Sequence, residues 1–366
     1  MKKEINKILI IRFSSLGDIM LTEPIPRLLR ELYPMAEIHY LTKRAFAPIV
    51  ANFKSIDKIL FWENKAKLIK SLRADNYDLT VDLHDKINSC LVKKLTAARQ
   101  TVTYKKQHLR RLLMTKKILK EPIYSTLNLY LSVFRQIKQQ KYIYEKLPLL
   151  KKYQLLSKNI TDIALPAELF PKLVLEKQLS KYIIDTFEEF NISHKKTLIG
   201  IFPGASFDSK QYPASYLSNF INNIPATWNC QFVLLGSHAD KFVCTEIRKN
   251  CMQKPIDMSG FFELDKLIEF MSHLHGVISN DSGPMHLAAA LGKPQIAIFG
   301  STHTSLGFRP LNKKAQILEQ NLRCQPCTLH GRKECPKRHF RCMKTINSKE
   351  LTLAFKELLE EEILCN

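Results

Sequence analysis

Three short stretches place hydroxyl, carboxylate, glycine and cationic side chains directly after apolar runs, which is where strand-to-helix turns present groups to a ligand. RFSSLGDIM, Arg12 to Met20, offers two hydroxyls and the Asp18 carboxylate, a candidate proton acceptor whose plainer reading is a helix cap. It is not a dinucleotide fingerprint, because Gly17 stands alone where three glycines are needed. FPGASFDSKQYP, Phe202 to Pro213, sets Lys210 in a Gly/Ser loop, where an ammonium pairs with phosphate or is simply surface. NDSGPMHLAAALGKP, Asn280 to Pro294, puts Asp281, Ser282 and Gly283 before a helix that carries His286 one turn in. Free N–H groups at such a start bind anions, whereas Asp281 or Ser282 as N-cap and a packed His286 explain the same composition structurally.

The elements that must position these turns alternate along the chain. KILIIRF from Lys7, EIHYLT from Glu37, KILFW and DLTVDLH predict buried strands, with a helical stretch to Leu32 interrupted by Pro24 and Pro26. Residues 89–144 read as mostly helical and basic, and a weaker stretch over 147–177 reads as a seam between halves. Beyond it TLIGIFPG, QFVLLG, PIDMSG, GVIS and QIAIFG predict further strands separated by helices over 214–224, 240–250 and 263–273, with a last helix over 348–364. The βαβα order predicts an α/β fold of two doubly wound, Rossmann-like domains, 1–170 and 171–346, followed by a C-terminal helix over 347–366. Both sheets are expected to open their carboxyl ends onto a central cleft.

Composition narrows the classes. With 366 residues and 45% hydrophobic content the chain buries a large core, and no stretch reaches the roughly 20 apolar residues of a bilayer span. The basic start is followed by only a strand's worth of apolar residues and no small-residue cleavage site, so no export signal is expected. Nine cysteines without a disulfide framework suit a reducing, cytoplasmic setting. The charge of +22, from 56 Lys plus Arg against 34 Asp plus Glu, reads either as a lysine-rich solvated surface or as a match for anionic partners: nucleic acid, a membrane surface or a phosphorylated glycolipid. Its densest run, Tyr104 to Lys117, falls in the first half. Cys324, Cys327, Cys335 and Cys342, with His330 and His339 between them, have spacings that suit either a structural zinc site or a loop of buried thiols.

In combination and order, RFSSLGDIMLTEPIPRLLRELYPMAEIHYLT, GIFPGASFDSKQYP and SNDSGPMHLAAALGKPQIAIFGST resemble the ADP-heptose:lipopolysaccharide heptosyltransferases, glycosyltransferase family 9. The resemblance implies a GT-B fold, acceptor bound mainly by the first domain and nucleotide sugar mainly by the second. It also implies inverting transfer of heptose from ADP-heptose to the lipopolysaccharide inner core, with no cofactor and no catalytic metal. Asp18 would then be the general base, with Ser14, Ser15 and Gly17 on the acceptor side. Lys210, Ser206, Asp281, Ser282, Gly283 and His286 would hold the donor phosphates, Lys210 assisting departure of ADP. The loop reads SKQYP where relatives carry Lys-Arg-Trp-Pro, so Gln211 and Tyr212 change the surroundings of Lys210. An enzyme of this kind would work at the inner face of the cytoplasmic membrane, held there peripherally. The competing readings are a family member with another sugar or acceptor, and a basic nucleic-acid-binding protein with a four-cysteine zinc loop.

Overall fold

The computed structural model describes residues 4–138, 140–153, 155, 164–175 and 178–360. The chain divides into two compact units, Met1–Arg110 with Pro122–Leu173, and Arg111–Glu121 with Val174–Asn366. Each is built on one parallel sheet.

In the first unit β1 (Lys7–Ile11), β2 (Glu37–Thr42), β3 (Lys58–Phe61), β4 (Leu79–Asp82) and β5 (Gln100–Thr103) are ordered β3-β2-β1-β4-β5. Leu9, Ile10 and Ile11 are all buried, as expected for a strand covered by helices on both faces. The order reverses between β1 and β4, where Ile11 pairs with Asp82. Loops leaving neighbouring strands diverge at such a point and leave a crevice beyond the strand ends. Asp18 follows β1, and His84 follows β4.

The second unit carries β6 (Thr197–Phe202), β7 (Cys230–Leu234), β8 (Ile256–Asp257), β9 (Gly276–Asn280), β10 (Gln295–Ile298) and β11 (Ala315–Leu318), ordered β11-β10-β9-β6-β7-β8. Its reversal falls between β6 and β9, the strands that lead into the Lys210 loop and the Gly283 helix. One face of the sheet buries Ile199, Ile201, Ile278 and Ile296 against helices Ala214–Asn222 and Ser348–Leu358. Phe220 and Phe355 lock those helices edge to face, their ring centroids 5.4 Å apart.

Most predicted elements are present, with informative differences. The first helix is two, Leu16–Met20 and Pro24–Leu32, and Pro24 opens the second as a residue that needs no N–H donor there. β5 lies inside the stretch read as helical: QTVT is a short edge strand in which only Val102 is fully buried, so it lacks an apolar run. β11 escaped notice for the same reason, and β8 is only two residues long. The C-terminal helix is described over Ser348–Leu358, and its expected end at 364 lies outside the described residues, as does part of the 147–177 seam. Arg111–Glu121 groups with the second unit because Arg111 Nε donates to the Leu306 carbonyl at 3.0 Å and its guanidinium covers the Phe308 ring. Lys117 Nζ likewise donates to the Pro326 carbonyl at 2.8 Å. Among the described residues no helix is long and apolar enough to cross a membrane.

Candidate functional site

Asp18 sits in the first turn of helix Leu16–Met20, and its carboxylate reaches back to the residue before the helix. Oδ2 accepts from Ser15 Oγ at 2.9 Å and from the Ser15 amide at 3.3 Å. The same oxygen is 2.6 Å from Arg12 Nη2, while Tyr130 Oη donates to Oδ1 at 3.4 Å. Capping and ion pairing therefore share one oxygen, and the other carries the weaker contact. Arg12 ends the first strand's apolar run and is 5% exposed. It also donates to the carbonyls of Leu83 and Ser14. Burial pulls its pKa down, and the Tyr130 and Tyr104 phenols with Asp18 more than offset that, so Arg12 stays a cation. Ser14 is half-buried, Ser15 exposed and Gly17 buried.

Across the strand reversal, buried Asp82 shapes the turn after β4, Oδ1 accepting from the amides of His84 and Asp85. The turn seats the His84 ring edge-on against Phe13, ring centroids 5.0 Å apart. Burial first, then Arg12, Lys86 and Lys106, push the His84 pKa down to about 3, so its imidazole is neutral at physiological pH. Its Nδ1 is buried without a hydrogen-bond partner among the described residues. Burial, Lys86 and Arg12 also lower the Lys106 pKa. The Asp18, Asp82 and Asp85 carboxylates, the neutral His84 imidazole and the Arg12, Lys86 and Lys106 cations thus share this end of the first sheet.

In the second unit Lys210 Nζ lies 2.9 Å from Asp281 Oδ2, which also accepts from Thr302 Oγ1 at 2.7 Å. Asp281 is thereby turned toward Lys210, and Ser282 takes the N-cap position of helix Gly283–Ala290. Asn280 ties the two loops together, Nδ2 donating to the Pro203 carbonyl at 2.7 Å and Oδ1 accepting from the Tyr212 amide at 3.0 Å. Tyr212 is fully buried, and its hydroxyl donates to the Ile346 carbonyl at 2.7 Å, anchoring the loop to the C-terminal segment. Ser206 is exposed in the same loop, and His286 is buried one turn into the helix. Asp240 braces the turn from behind: Oδ2 accepts from the Ser237 amide and hydroxyl, each at 2.7 Å, and a Cβ placed on Gly204 would lie 1.9 Å from Oδ1. A side chain at 204 therefore requires Asp240 to move.

Residues 65–338 match the model of glycosyltransferase family 9 (heptosyltransferase), well over half of the chain. The chain belongs to that family. Lipopolysaccharide heptosyltransferase 1 of Campylobacter coli is 27% identical over 368 residues, covering 97% of this chain and 100% of that protein. The solved structure of Escherichia coli ADP-heptose LPS heptosyltransferase II is similar at a TM-score of 0.72 and 22% identity, with 97% of this chain and 99% of that one covered. A family 9 structure from Veillonella parvula DSM 2008 gives a TM-score of 0.74 at 17% identity, covering 99% of each chain. These likenesses establish the GT-B fold, two Rossmann-like domains, expected from the strand pattern.

Of the motif residues, Asp18 meets Ser15 and Lys210 meets Asp281, while sequence reasoning passed over Arg12, His84 and Thr302. A cation directly after four buried apolar residues was the available signal for Arg12. The cysteine loop packs beside the Lys210 turn. Gln325 Nε2 donates to the Gly300 carbonyl at 2.7 Å, the Cys327 amide donates to the Ser301 carbonyl at 3.1 Å, and Ser209 Oγ accepts from the Arg332 amide at 2.8 Å. Burial, then Cys327, Cys335 and Cys324, push the Cys342 thiol up to about 12. Among the described residues no group of three or more His, Cys, Asp or Glu is arranged to hold a metal ion.

Proposed function

We propose that this family 9 chain transfers heptose from ADP-heptose to the anionic inner core of lipopolysaccharide, inverting the anomeric centre and using no catalytic metal. The observation that carries the mechanism is the division of labour between the units: an anchored carboxylate, Asp18, on the first and an anchored ammonium, Lys210, on the second. Arg12 and Ser15 fix the Asp18 side chain, and the acceptor hydroxyl gives up its proton to that carboxylate as it attacks the anomeric carbon. Ser14, Ser15 and Gly17 line the acceptor side, and Lys86 and Lys106 supply positive charge for an acidic acceptor sugar. The diphosphate lies at the start of helix Gly283–Ala290, whose free amides with Ser282, Gly283 and His286 meet its oxygens. Ser206 is the hydroxyl of the facing loop. As the bond to the sugar breaks, negative charge grows on ADP, and Lys210, held by Asp281, is placed to meet it. The enzyme acts in the cytoplasm, bound peripherally at the inner face of the membrane.

The test incubates the full chain with ADP-heptose and a lipid-linked inner-core acceptor in excess chelator, then assigns the new linkage by NMR. A mass gain of one heptose with inverted configuration is expected. Transfer only from another nucleotide sugar, retained configuration, or loss of activity in chelator each removes the corresponding part of the proposal.

A further inference from the structure

Residues 105–120 carry Lys105, Lys106, Arg110, Arg111, Lys116, Lys117 and Lys120 and no acidic residue. Helix His108–Thr115, at the centre of this run, is fastened through Arg111 and Met114, both buried. That seating turns the opposite face outward: Leu109 is 67% exposed, Leu112 one turn on 41%, and Ile118 just past the helix 67%. Lys105, Lys116 and Lys120 are exposed around them. Large aliphatic side chains held in water within a run of exposed lysines suit a partner that is both anionic and apolar.

We propose that the Leu109, Leu112 and Ile118 face docks the enzyme on a bilayer rich in anionic phospholipid. The three side chains enter the boundary between headgroups and acyl chains while the lysines pair with lipid phosphates. A soluble polyanion would engage the cations and leave the leucines in water. A protein partner's apolar patch would face a run of positive charge with nothing to match it. Docking here serves the proposed transfer to a membrane-borne acceptor and rests on that reading for its purpose, although binding itself is read without any transfer.

Flotation of the full chain with vesicles of phosphatidylcholine containing phosphatidylglycerol, against phosphatidylcholine alone, tests the face. Two triple variants are compared, L109Q/L112Q/I118Q and K105Q/K116Q/K120Q, with ADP affinity and melting temperature measured on both. Wild type should prefer the anionic vesicles. Each lysine removed should weaken binding about fivefold, and the apolar triple should weaken it at least about tenfold. ADP affinity and melting temperature should hold in both. Equal binding to the two vesicle types overturns the proposal, as does an apolar triple that binds like wild type, which would mark a site for soluble polyanions. Loss of ADP binding in wild type would sink the donor-site reading and leave the vesicle result standing.

Discussion

Replacing Asp18 by Asn tests two roles at once, because the proposed base also neutralises a buried cation. Arg12 is 7% and Asp18 23% exposed at the side chain, and they meet at 2.6 Å. Removing one partner of a buried pair costs about 3–5 kcal/mol; with Asp18 partly solvated and Asn still able to accept one hydrogen bond from Arg12, about 3 kcal/mol is expected. For a domain of this size that corresponds to a drop of roughly 6–12 °C in melting temperature. A cap-only role predicts almost none, since Asn caps as well as Asp. Turnover should fall by ~10²–10⁴ through loss of the base. The two effects separate in Arg12→Gln/Asp18→Asn, which removes both charges and should recover much of the melting temperature without recovering turnover. The assays are thermal unfolding and transfer rate at saturating donor and acceptor. Recovery of turnover together with stability would refute the base assignment, and an unchanged melting temperature in the single variant would refute the energetic importance of the pair.

Lys210→Met should weaken ADP binding in calorimetry by roughly 10- to 150-fold, the loss of one charge-assisted hydrogen bond of about 1.5–3 kcal/mol; unchanged affinity removes Lys210 from the donor site. Because the His84 pKa is depressed to about 3 from about 6.5 in the unfolded chain, the unfolded state binds its proton first on acidification. Stability is therefore full above pH ~6.5 and falls toward pH ~3, by up to about 1.4 kcal/mol per unit. His84→Gln should flatten denaturant midpoints across that window, and an unaltered acid profile would contradict it. Gly204→Ala forces a methyl against Asp240 and should destabilise by about 1–3 kcal/mol, read as a lower melting temperature; an unshifted transition would mean that Asp240 yields easily.

The periodicity that announces buried strands is set by burial on both faces, so the central strands of both sheets were legible. Edge strands β5 and β11 were not, because an edge can do without the apolar run that edge strand β3 carries in KILFW. The turns of the candidate site were visible as Gly/Ser/Asp clusters after those strands, since strand-to-helix turns are short and their chemistry is local. What escaped depends on distant partners. Nothing near Arg12 in the chain announces Leu83 or Tyr130, and nothing near Asp281 shows that its carboxylate would be spent on Lys210 and Thr302 instead of capping a helix. His84 reads as one polar residue among several in VDLHDK until Asp82 folds the turn beneath it. The cysteine spacing left a zinc site and buried thiols both open, and the loop's grip on Gly300 and Ser301, through the Gln325 side chain and the Cys327 amide, follows from tertiary packing alone.

Asp240 makes the loops that follow β6 and β7 a single inheritable part. Its carboxyl group occupies the space that a Cβ on Gly204 or on Gly236 would need, with the nearest approaches 1.9 and 2.8 Å. A larger residue at either glycine becomes tolerable only after position 240 has shrunk, and a shrunken 240 gives up the grip on Ser237. Substitutions at these three positions are therefore coupled, and a library that varies them together reaches combinations that varying either glycine alone does not.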